Sequence, residues 1–404
     1  MKKTNNHKKK KKSIEVESKF SLFEVIIIIL ISVIFGVIIG YLITYGNSNL
    51  SRVRSDTHLG EIVSTYNNIV DNYYDEINKD DLTESAIKGM ISALNDPYSA
   101  YLDEDSTSTF NESVDGEYVG IGITTLFIGE YNQIVSVLEN GPAAKVGLQE
   151  GDIILKVNNK DCHNVYSQEL NEMITGKIGT SVKIKILRGE EEFTYSIKRQ
   201  VIEIKNVTGK VIDDTKIGYI KINIFSSNSY DQFVETIDDL EKKKIDSLII
   251  DIRDNPGGHL SQAKKILDWF FNKKTILYQT EVNGSKKKVY AENNDTKKYP
   301  VILLINHETA SSAEVVAACF KDNYKDIHLV GSNTYGKGNV QKSVSLNSGT
   351  SIKFTIEKWL TPKGKSVSDV GVTPDTPVEQ SEEYYNFATE ENDLVLQEAI
   401  NILK

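Results

Sequence analysis

The pattern of apolar and polar residues changes several times along the chain, and each change predicts a different element. Residues 25–46 carry no charge and are rich in Ile, Val and Leu, so a helix there would be long enough to span a bilayer. A short polar linker, 47–57, follows. Apolar residues then recur at helical spacing within 58–113, which predicts two amphipathic helices. Because two such helices cannot bury a core alone, we expect this unit to pack on something else.

Beyond that unit the apolar pattern becomes strand-like and then alternates between strands and helices. Short strand-like runs fill residues 114–200, with a predicted helix at Ser167–Ile174, and indicate a β-rich domain. Residues 201–380 alternate β and α, which predicts parallel strands joined by right-handed crossovers. Residues 381–404 predict a C-terminal helix. The fold class is therefore α/β, with a β-rich insert, an N-terminal helical unit and one transmembrane helix.

The charge distribution supports a membrane anchor. The 404-residue chain has a net charge of −10, yet residues 1–24 carry +5, which leaves −15 for the rest. Lysines before an apolar span place the N-terminus in the cytoplasm and residues 47–404 outside the cell membrane. A cleaved signal peptide is the alternative. The apolar run is long for a signal peptide and no A-x-A-like cleavage site follows it, which favours an uncleaved single-pass anchor.

Composition excludes several classes of function. An acidic extracytoplasmic part argues against a nucleic acid partner. The two cysteines, Cys162 and Cys319, cannot form a disulfide framework, and the six histidines show no zinc-binding spacing. We therefore expect neither a metal nor a cofactor.

The candidate chemistry lies between residues 306 and 341. Ser311 and Ser312 precede an apolar helix, and either hydroxyl would need a base to act as a nucleophile. His307 has no evident acidic partner to orient it. Lys337 lies between two glycines and can serve as the base if burial keeps its amine neutral. Gln341 can orient that amine without protonating it. This pattern predicts a Ser-Lys hydrolase.

An acyl-transfer site also needs donors for the developing oxyanion. The N–H that follows the nucleophile is one donor, which is the Ser312 N–H if Ser311 attacks. Gly257 or Gly258, after the strand at Ser247–Ile252, would supply the second, because open α/β sheets place their sites at the carboxyl ends of strands. The pattern alone leaves open which serine attacks, or whether a serine serves only as a helix cap.

Taken together, the motifs of residues 62–403 resemble the C-terminal processing peptidases, or tail-specific proteases. The resemblance rests on six motifs: D-P-Y-S at Asp96, Y-V-G-I-G at Tyr118, D-I-R-D-N-P-G-G at Asp251, T-A-S-S-A-E at Thr309, Y-G-K-G-N-V-Q at Tyr335 and K-W-L-T-P-K-G at Lys358. It implies a crotonase- and Clp-protease-like core with Ser311 as nucleophile, Lys337 as base and Gln341 as its partner. Two departures are Ser312, where the family often has alanine, and a serine-to-lysine loop one residue longer than usual.

The β-rich segment 114–200 resembles a circularly permuted PDZ domain. The resemblance implies that a peptide C-terminus adds as a strand beside a glycine-containing loop. The matching residues are Tyr118, Val119, Gly120, Ile121, Gly122 and Ile123. The bland alternative is that these glycines only relieve crowding in a strand. The resemblance also implies a homodimer formed through terminal helices, and an arginine that couples the PDZ ligand to the active site, for which Arg188 is a candidate.

These inferences combine into one expected function. The chain is predicted to be a membrane-anchored serine endopeptidase that recognises polypeptide C-termini and hydrolyses peptide bonds outside the cell. A catalytically inactive PDZ scaffold that binds C-terminal tails is one alternative. An acyl-CoA enzyme on the same core is another, although it would need a cytosolic site and a basic surface.

Overall fold

A computed structural model of the chain describes Ile27 and residues 30–40, 57–294, 296, 299–386 and 388–404. The predicted anchor, 25–46, is thus described only at Ile27 and at residues 30–40, which are helical. The rest of that segment, the tail 1–24 and the linker up to residue 56 lie outside the described residues. Within the described ranges, no helix is both long and apolar enough to cross a membrane.

The strands are short and are spread over the whole chain after residue 99. They are β1 Ala100–Leu102, β2 Glu117–Gly120, β3 Ile123–Ile128, β4 Tyr131–Val137, β5 Ile153–Val157, β6 Lys160–Asp161, β7 Ser181–Arg188, β8 Glu191–Lys198, β9 Gln200–Glu203, β10 Val207–Val211, β11 Ile217–Ile222, β12 Ser247–Asp251, β13 Ile276–Val282, β14 Ser285–Tyr290, β15 Val301–Ile305, β16 Ile327–Gly331, β17 Asn339–Ser345, β18 Ser351–Leu360 and β19 Thr376–Pro377.

The helices between residue 57 and the C-terminus include the two that the sequence predicted before residue 95. They are α1 Thr57–Asn72, α2 Lys79–Ser92, α3 Glu104–Asp115, α4 Pro142–Val146, α5 Ser167–Ile174, α6 Ser229–Lys242, α7 Leu260–Phe270, α8 Ser312–Asn323, α9 Glu382–Asn386 and α10 Leu394–Leu403.

The chain divides into two compact units, Met1–Ala86 and Ile87–Lys404. In the first unit, α1 is amphipathic as the sequence predicts. Its apolar residues Ile62 and Val63 are 45% and 40% exposed. An amphipathic helix gains most of its stability by burying such a face against another surface.

The centre of the second unit is a six-stranded sheet in the order β10-β11-β12-β15-β16-β19. All neighbouring pairs from β11 to β19 are parallel, and β10 is an antiparallel edge strand. Side chains alternate across β12: Leu248 and Ile250 lie in the core with α6, α7 and α8, whereas Ile249 packs with α10 on the opposite face. Both faces are therefore covered, which is why these strands are continuously apolar.

A second, antiparallel sheet is built around β18, which pairs with β1, β13 and β17. The sequence analysis assigned residues 58–113 to one N-terminal helical unit. The structure corrects that boundary, because Ala100–Leu102 is a strand of this sheet. A three-residue strand is too short to show a period in the sequence, so periodicity could not separate it from the helices around it.

The segment between α3 and β10 forms its own small β domain. Its sheet has the order β3-β4-β5-β7-β8, with β6 beside β5, and α5 covers part of its core. Strands β2 and β9 pair with each other at the two ends of the segment. The chain thus enters and leaves this β domain at neighbouring points, as expected for an inserted domain.

Candidate active site

Ser311 is the residue immediately before α8, and its backbone is in an unusual conformation. Its φ and ψ are 56° and −121°. Positive φ is uncommon for a residue with a side chain, and it persists only where the surroundings enforce it. Two bonds do so here: Ala310 N–H donates to Asn255 O at 3.0 Å, and Ser311 N–H donates to Glu314 Oε2 at 2.9 Å.

Glu314 is fully buried and connects the serine to the lysine loop. Its Oε2 also accepts a bond from Lys337 N–H at 2.8 Å. Its Oε1 accepts from Thr334 Oγ1 at 2.6 Å and from Gly336 N–H at 2.7 Å. One carboxylate therefore fixes the backbone of both Ser311 and Lys337. The sequence analysis used this glutamate only to mark the motif, and the signal it missed was a charged residue inside an apolar helix.

A single cavity of about 690 Å³ brings the predicted catalytic residues together. Ser311, Lys337 and Gln341 all line it. Gly258 and Ser312 line it as well. Residues that are more than 80 positions apart in the sequence thus share one concave site.

The surroundings of Lys337 shift its protonation equilibrium toward the neutral form. Burial lowers the pKa of its amine, and the nearby charge of Lys353 lowers it further, whereas Glu314 and Asp96 act in the opposite direction. The ammonium nitrogen lies 5.2 Å from the centre of the Tyr98 ring. In the described part of the chain, no carboxylate forms an ion pair with this amine. Lys337 can therefore lose its proton more readily than an exposed lysine.

The two glycines beside Lys337 are closely packed, and a side chain on either would require its surroundings to shift. Gly336 has φ 89°, and a Cβ there would lie 3.0 Å from Asp369 N. A Cβ on Gly338 would lie 2.3 Å from Ser368 Oγ. The loop is also fixed from the other side, because Trp359 Nε1 donates to Lys337 O at 2.8 Å. The sequence analysis expected these glycines to allow close packing, and the segment that packs there is 366–371.

Gln341 lines the cavity, but its side chain makes a hydrogen bond to a residue other than Lys337, the partner that the sequence predicted. Its Nε2 donates to Thr355 Oγ1 at 3.3 Å, and Thr355 Oγ1 donates to Asp96 Oδ2 at 2.6 Å. A register shift between Val340 and Gln341 sets this pairing with Thr355. Asp96 belongs to the D-P-Y-S motif, whose Asp-Pro pair predicts from the sequence only the end of the preceding helix.

The oxyanion donors can be told apart by their hydrogen bonds. Gly257 N–H already donates to Asn255 Oδ1 at 2.8 Å. Within the described residues, the backbone N–H groups of Gly258 and Ser312 donate no hydrogen bond. A Cβ on Gly257 would come within 2.9 Å of Ser311 Cβ, so glycine is needed there for close approach. The geometry favours Gly258 and Ser312 as donors, with Gly257 as the spacer.

The alternatives to Ser311 are placed less well. Ser312 is only 2% exposed, and its hydroxyl donates to Gly258 O at 3.4 Å. His307 is largely exposed and lies 3.2 Å from its neighbour Glu308. It does not line the cavity. Of these three residues, Ser311 alone combines access to the cavity with a backbone fixed by Glu314.

The predicted peptide-binding loop lies beside α5. Five of the six predicted residues line a small cleft of about 20 Å³: Tyr118, Gly120, Ile121, Gly122 and Ile123. Thr125, Asn171, Ile174 and Thr175 complete its lining. Val119 does not line the cleft and pairs with Val201 in the β2–β9 ribbon. The structure thus places a strand edge next to a helix, which is the arrangement that strand addition requires.

Arg188 does not point to the catalytic cavity in this structure. Its guanidinium makes two bonds to Asp152, at 2.6 and 2.7 Å, and one to Gly147 O at 2.9 Å. Asp152 is completely buried. In this conformation the arginine links parts of the β domain, and the coupling role implied by the resemblance has no contact to support it.

Comparisons with known proteins agree with this architecture. Residues 216–378 match the model of peptidase family S41, 133–188 match a PDZ domain, and 44–106 match the N-terminal domain of the activating protease CtpB. The chain is 35% identical over 340 residues to the carboxy-terminal processing protease CtpA of Bacillus subtilis (strain 168), covering 83% of this chain and 72% of that one. The chain belongs to peptidase family S41.

Two further relatives are worth naming. CtpB of the same organism is 35% identical over 334 residues, which cover 80% of this chain and 68% of CtpB. Among solved structures, the photosystem II D1 C-terminal processing protease is 22% identical with a TM-score of 0.47, over 80% of this chain and 87% of that one. The match to peptidase family S41, the PDZ match and the similarity to CtpA and CtpB together show a protease with an α/β core and a PDZ domain, as the sequence motifs indicated.

Proposed function

We propose that this protein is a serine endopeptidase that uses Ser311 as nucleophile, Lys337 as general base and Gln341 as a supporting residue. The observation that carries the proposal is the single cavity lined by all three side chains. The lowered pKa of Lys337 supports it, because only a neutral amine can accept the serine proton.

The reaction follows from the positions of these groups. Lys337 takes the proton from Ser311 Oγ, which attacks the carbonyl carbon of the scissile bond. The N–H groups of Gly258 and Ser312 and the N-terminus of α8 stabilise the oxyanion. Lys337 then passes its proton to the leaving amine, and the same steps with water release the acyl product. No metal or cofactor takes part in this scheme.

We propose that the PDZ domain selects the substrate. The cleft beside Tyr118 and Gly120 to Ile123 would accept the last residues of a polypeptide as an added strand. Backbone N–H groups of this loop would hold the terminal carboxylate, and Gly122, with φ 76°, lets the loop turn where a side chain would be strained. The names of the relatives, which refer to carboxy-terminal processing, support this choice of substrate.

The location and assembly of the protein are also proposals. The uncharged segment 25–46, preceded by the lysine-rich tail 1–24, would anchor the chain in the cell membrane, with the protease outside. The exposed apolar face of α1 would be covered by a second copy, giving a homodimer.

The test is degradation of an unfolded reporter by the purified full-length chain and three variants. Ser311→Ala and Lys337→Ala should each abolish cleavage, whereas Ser312→Ala should retain most of it. Loss of activity in Ser312→Ala but not in Ser311→Ala would overturn the choice of nucleophile. Tail binding without any cleavage, equal in all variants, would instead favour the inactive PDZ scaffold.

A further inference from the structure

A second lysine lies in the catalytic cavity. Lys353 is on β18, opposite Ala100 of β1 and Ser343 of β17, so its strand has a neighbour on each side. Its side chain lines the same cavity as Lys337. The Lys353 ammonium lies 5.4 Å from the centre of the Phe110 ring on α3, a contact of the cation–π type.

Lys353 has no acidic partner in the described part of the chain. The charged and titratable groups that share the cavity are Asp115, His259, Lys337 and Lys342. A cation without a counter-ion, half-buried beside a catalytic amine, acts on that amine through its charge.

The two acids that face Lys337 are occupied by other donors. Glu314 accepts four hydrogen bonds, as described above. Asp96 accepts bonds from Thr355 Oγ1, Ser99 Oγ and Tyr98 N–H. Both carboxylates are therefore fixed by other groups. Their negative charges favour the protonated form of Lys337, whereas the positive charge of Lys353 disfavours it. The Lys337 amine also lies 5.2 Å from the centre of the Tyr98 ring.

We propose that Lys353 is a positioning residue of the active site, a second cation in the catalytic cavity that keeps the Lys337 amine in its neutral, proton-accepting form. This inference rests on the proposed Ser311–Lys337 chemistry. Burial alone disfavours an ammonium, and a like charge across the same cavity disfavours it further. In agreement with this geometry, the Lys353 charge is the second largest influence on the pKa of Lys337, after burial, and it acts in the same direction.

The test is the pH dependence of Ser311 reactivity in the full-length chain. The first readout is kcat on a quenched peptide, and the second is the rate of inactivation by phenylmethanesulfonyl fluoride, which does not depend on PDZ recognition. Lys353→Met should move the acidic limb of both profiles to higher pH by about one unit. Activity should therefore fall about tenfold below the limb and return to the wild-type value at high pH.

A charge series sharpens the test. Lys353→Arg should keep the wild-type limb, and Lys353→Glu should shift it further than Lys353→Met does. Lys358→Met is the matched control, because Lys358 is exposed on the same strand and does not line the cavity. Lys353→Gln tests the same point if the methionine variant folds poorly.

The possible outcomes separate this inference from the proposed function. An unmoved limb, or an equal loss at every pH, would overturn the role of Lys353 while leaving the dyad intact. If Ser311→Ala or Lys337→Ala still reacts, the proposed function fails first. A graded shift in the order Arg, Met, Glu, with Lys358→Met unchanged, is the result that the structure leads us to expect.

Discussion

Ser311 and Lys337 are fixed through a residue that takes no part in the chemistry. The Glu314 carboxylate accepts one backbone N–H from each of them, at 2.9 and 2.8 Å. It also helps to hold the positive φ of Ser311, a residue that lines the cavity. At the residue scale, the site depends as much on this buried acid as on the reacting groups.

Glu314→Gln should therefore impair both activity and stability. The amide NH2 would face backbone donors, leaving at least one of them unpaired, at a cost of about 1–3 kcal/mol in the free energy of unfolding. We expect kcat to fall by at least tenfold, because the two reacting groups lose their common support. Urea unfolding and peptide hydrolysis measure the two effects. Glu308→Gln, at an exposed site just before the same motif, should change neither.

Lys337→Met should separate activity from stability. General-base catalysis contributes about 10²–10⁴-fold, so kcat should fall by that range. Burial lowers the pKa of Lys337 in the folded protein below that of an exposed lysine, so the folded protein binds fewer protons than the unfolded chain does. Wild-type stability therefore rises as pH rises toward the pKa of an exposed lysine. Removing this buried amine should therefore raise the free energy of unfolding at pH 7. A variant that is both inactive and less stable at pH 7 would contradict the neutral-amine account.

The wild-type pH profile should carry the same signature. Hydrolysis requires the neutral amine, so kcat should rise with pH through the lowered pKa of Lys337 and level off below the pH at which an exposed lysine would titrate. A kcat profile measured from pH 5 to pH 10 tests this. A rate that keeps rising up to the pKa of an exposed lysine would mean that burial does not tune the base.

At the scale of elements, the PDZ loop depends on a backbone conformation as well as on its side chains. Gly122 has φ 76°, and a Cβ there would lie 3.1 Å from Leu138 Cβ. Gly122→Ala should weaken the binding of a peptide with a free C-terminus by about tenfold, since strain of about 1–2 kcal/mol would shift the loop. Fluorescence anisotropy measures the affinity.

The matched control for this variant is Gly129→Ala. Gly129 also has a positive φ, 67°, but it lies in the β3–β4 turn, and a Cβ there would meet nothing within 4 Å. The Gly129→Ala variant should carry similar backbone strain without weakening the binding of the peptide. Equal loss in both variants would show that general destabilisation, and not the loop, explains the effect.

The elements that the sequence predicted well are those with a long or continuous pattern. The strand predicted at Ser247–Ile252 and the helix predicted at Ser167–Ile174 are clear in the sequence, because burial on both faces of a strand or on one stripe of a helix fixes which residue types occur there. Ser311 and Lys337 could be proposed as catalytic residues because a motif marks each of them.

What the sequence did not predict depends on pairing between distant segments. Strand β1 has three residues and pairs with a strand more than 240 positions away. The Gln341–Thr355 bond follows from a local register shift, which no periodicity reveals. In the sequence, nothing distinguishes Lys353 from the other charged residues of its strand. Its place in the cavity follows from which neighbours the sheet gives it.

At the scale of the whole molecule, buried ion pairs connect the C-terminal helix α10 to β12 and to the loop that follows it. Asp393 caps the N-terminus of α10 and is buried against Arg253, whose guanidinium donates to it at 2.8 Å through both terminal nitrogens. Arg253 also bonds Asp251 at the end of β12. The helix, the sheet and the loop after β12 thus share one buried ion network.

Asp393→Ala should lower the free energy of unfolding by about 2–5 kcal/mol, because it leaves a buried guanidinium short of one partner and removes a helix cap. Urea unfolding measures the loss. Glu391→Ala, two residues earlier and exposed, should stay within about 0.5 kcal/mol of the wild type. A small effect in both variants would mean that water replaces the missing carboxylate.

The account as a whole rests on Lys337 activating Ser311. The most direct measurement is to treat the full-length chain with phenylmethanesulfonyl fluoride and to locate the adduct by mass spectrometry. We predict modification at Ser311, faster at higher pH and absent in Lys337→Met. Modification at Ser312, or equal labelling of Ser311 with and without the lysine, would contradict the account.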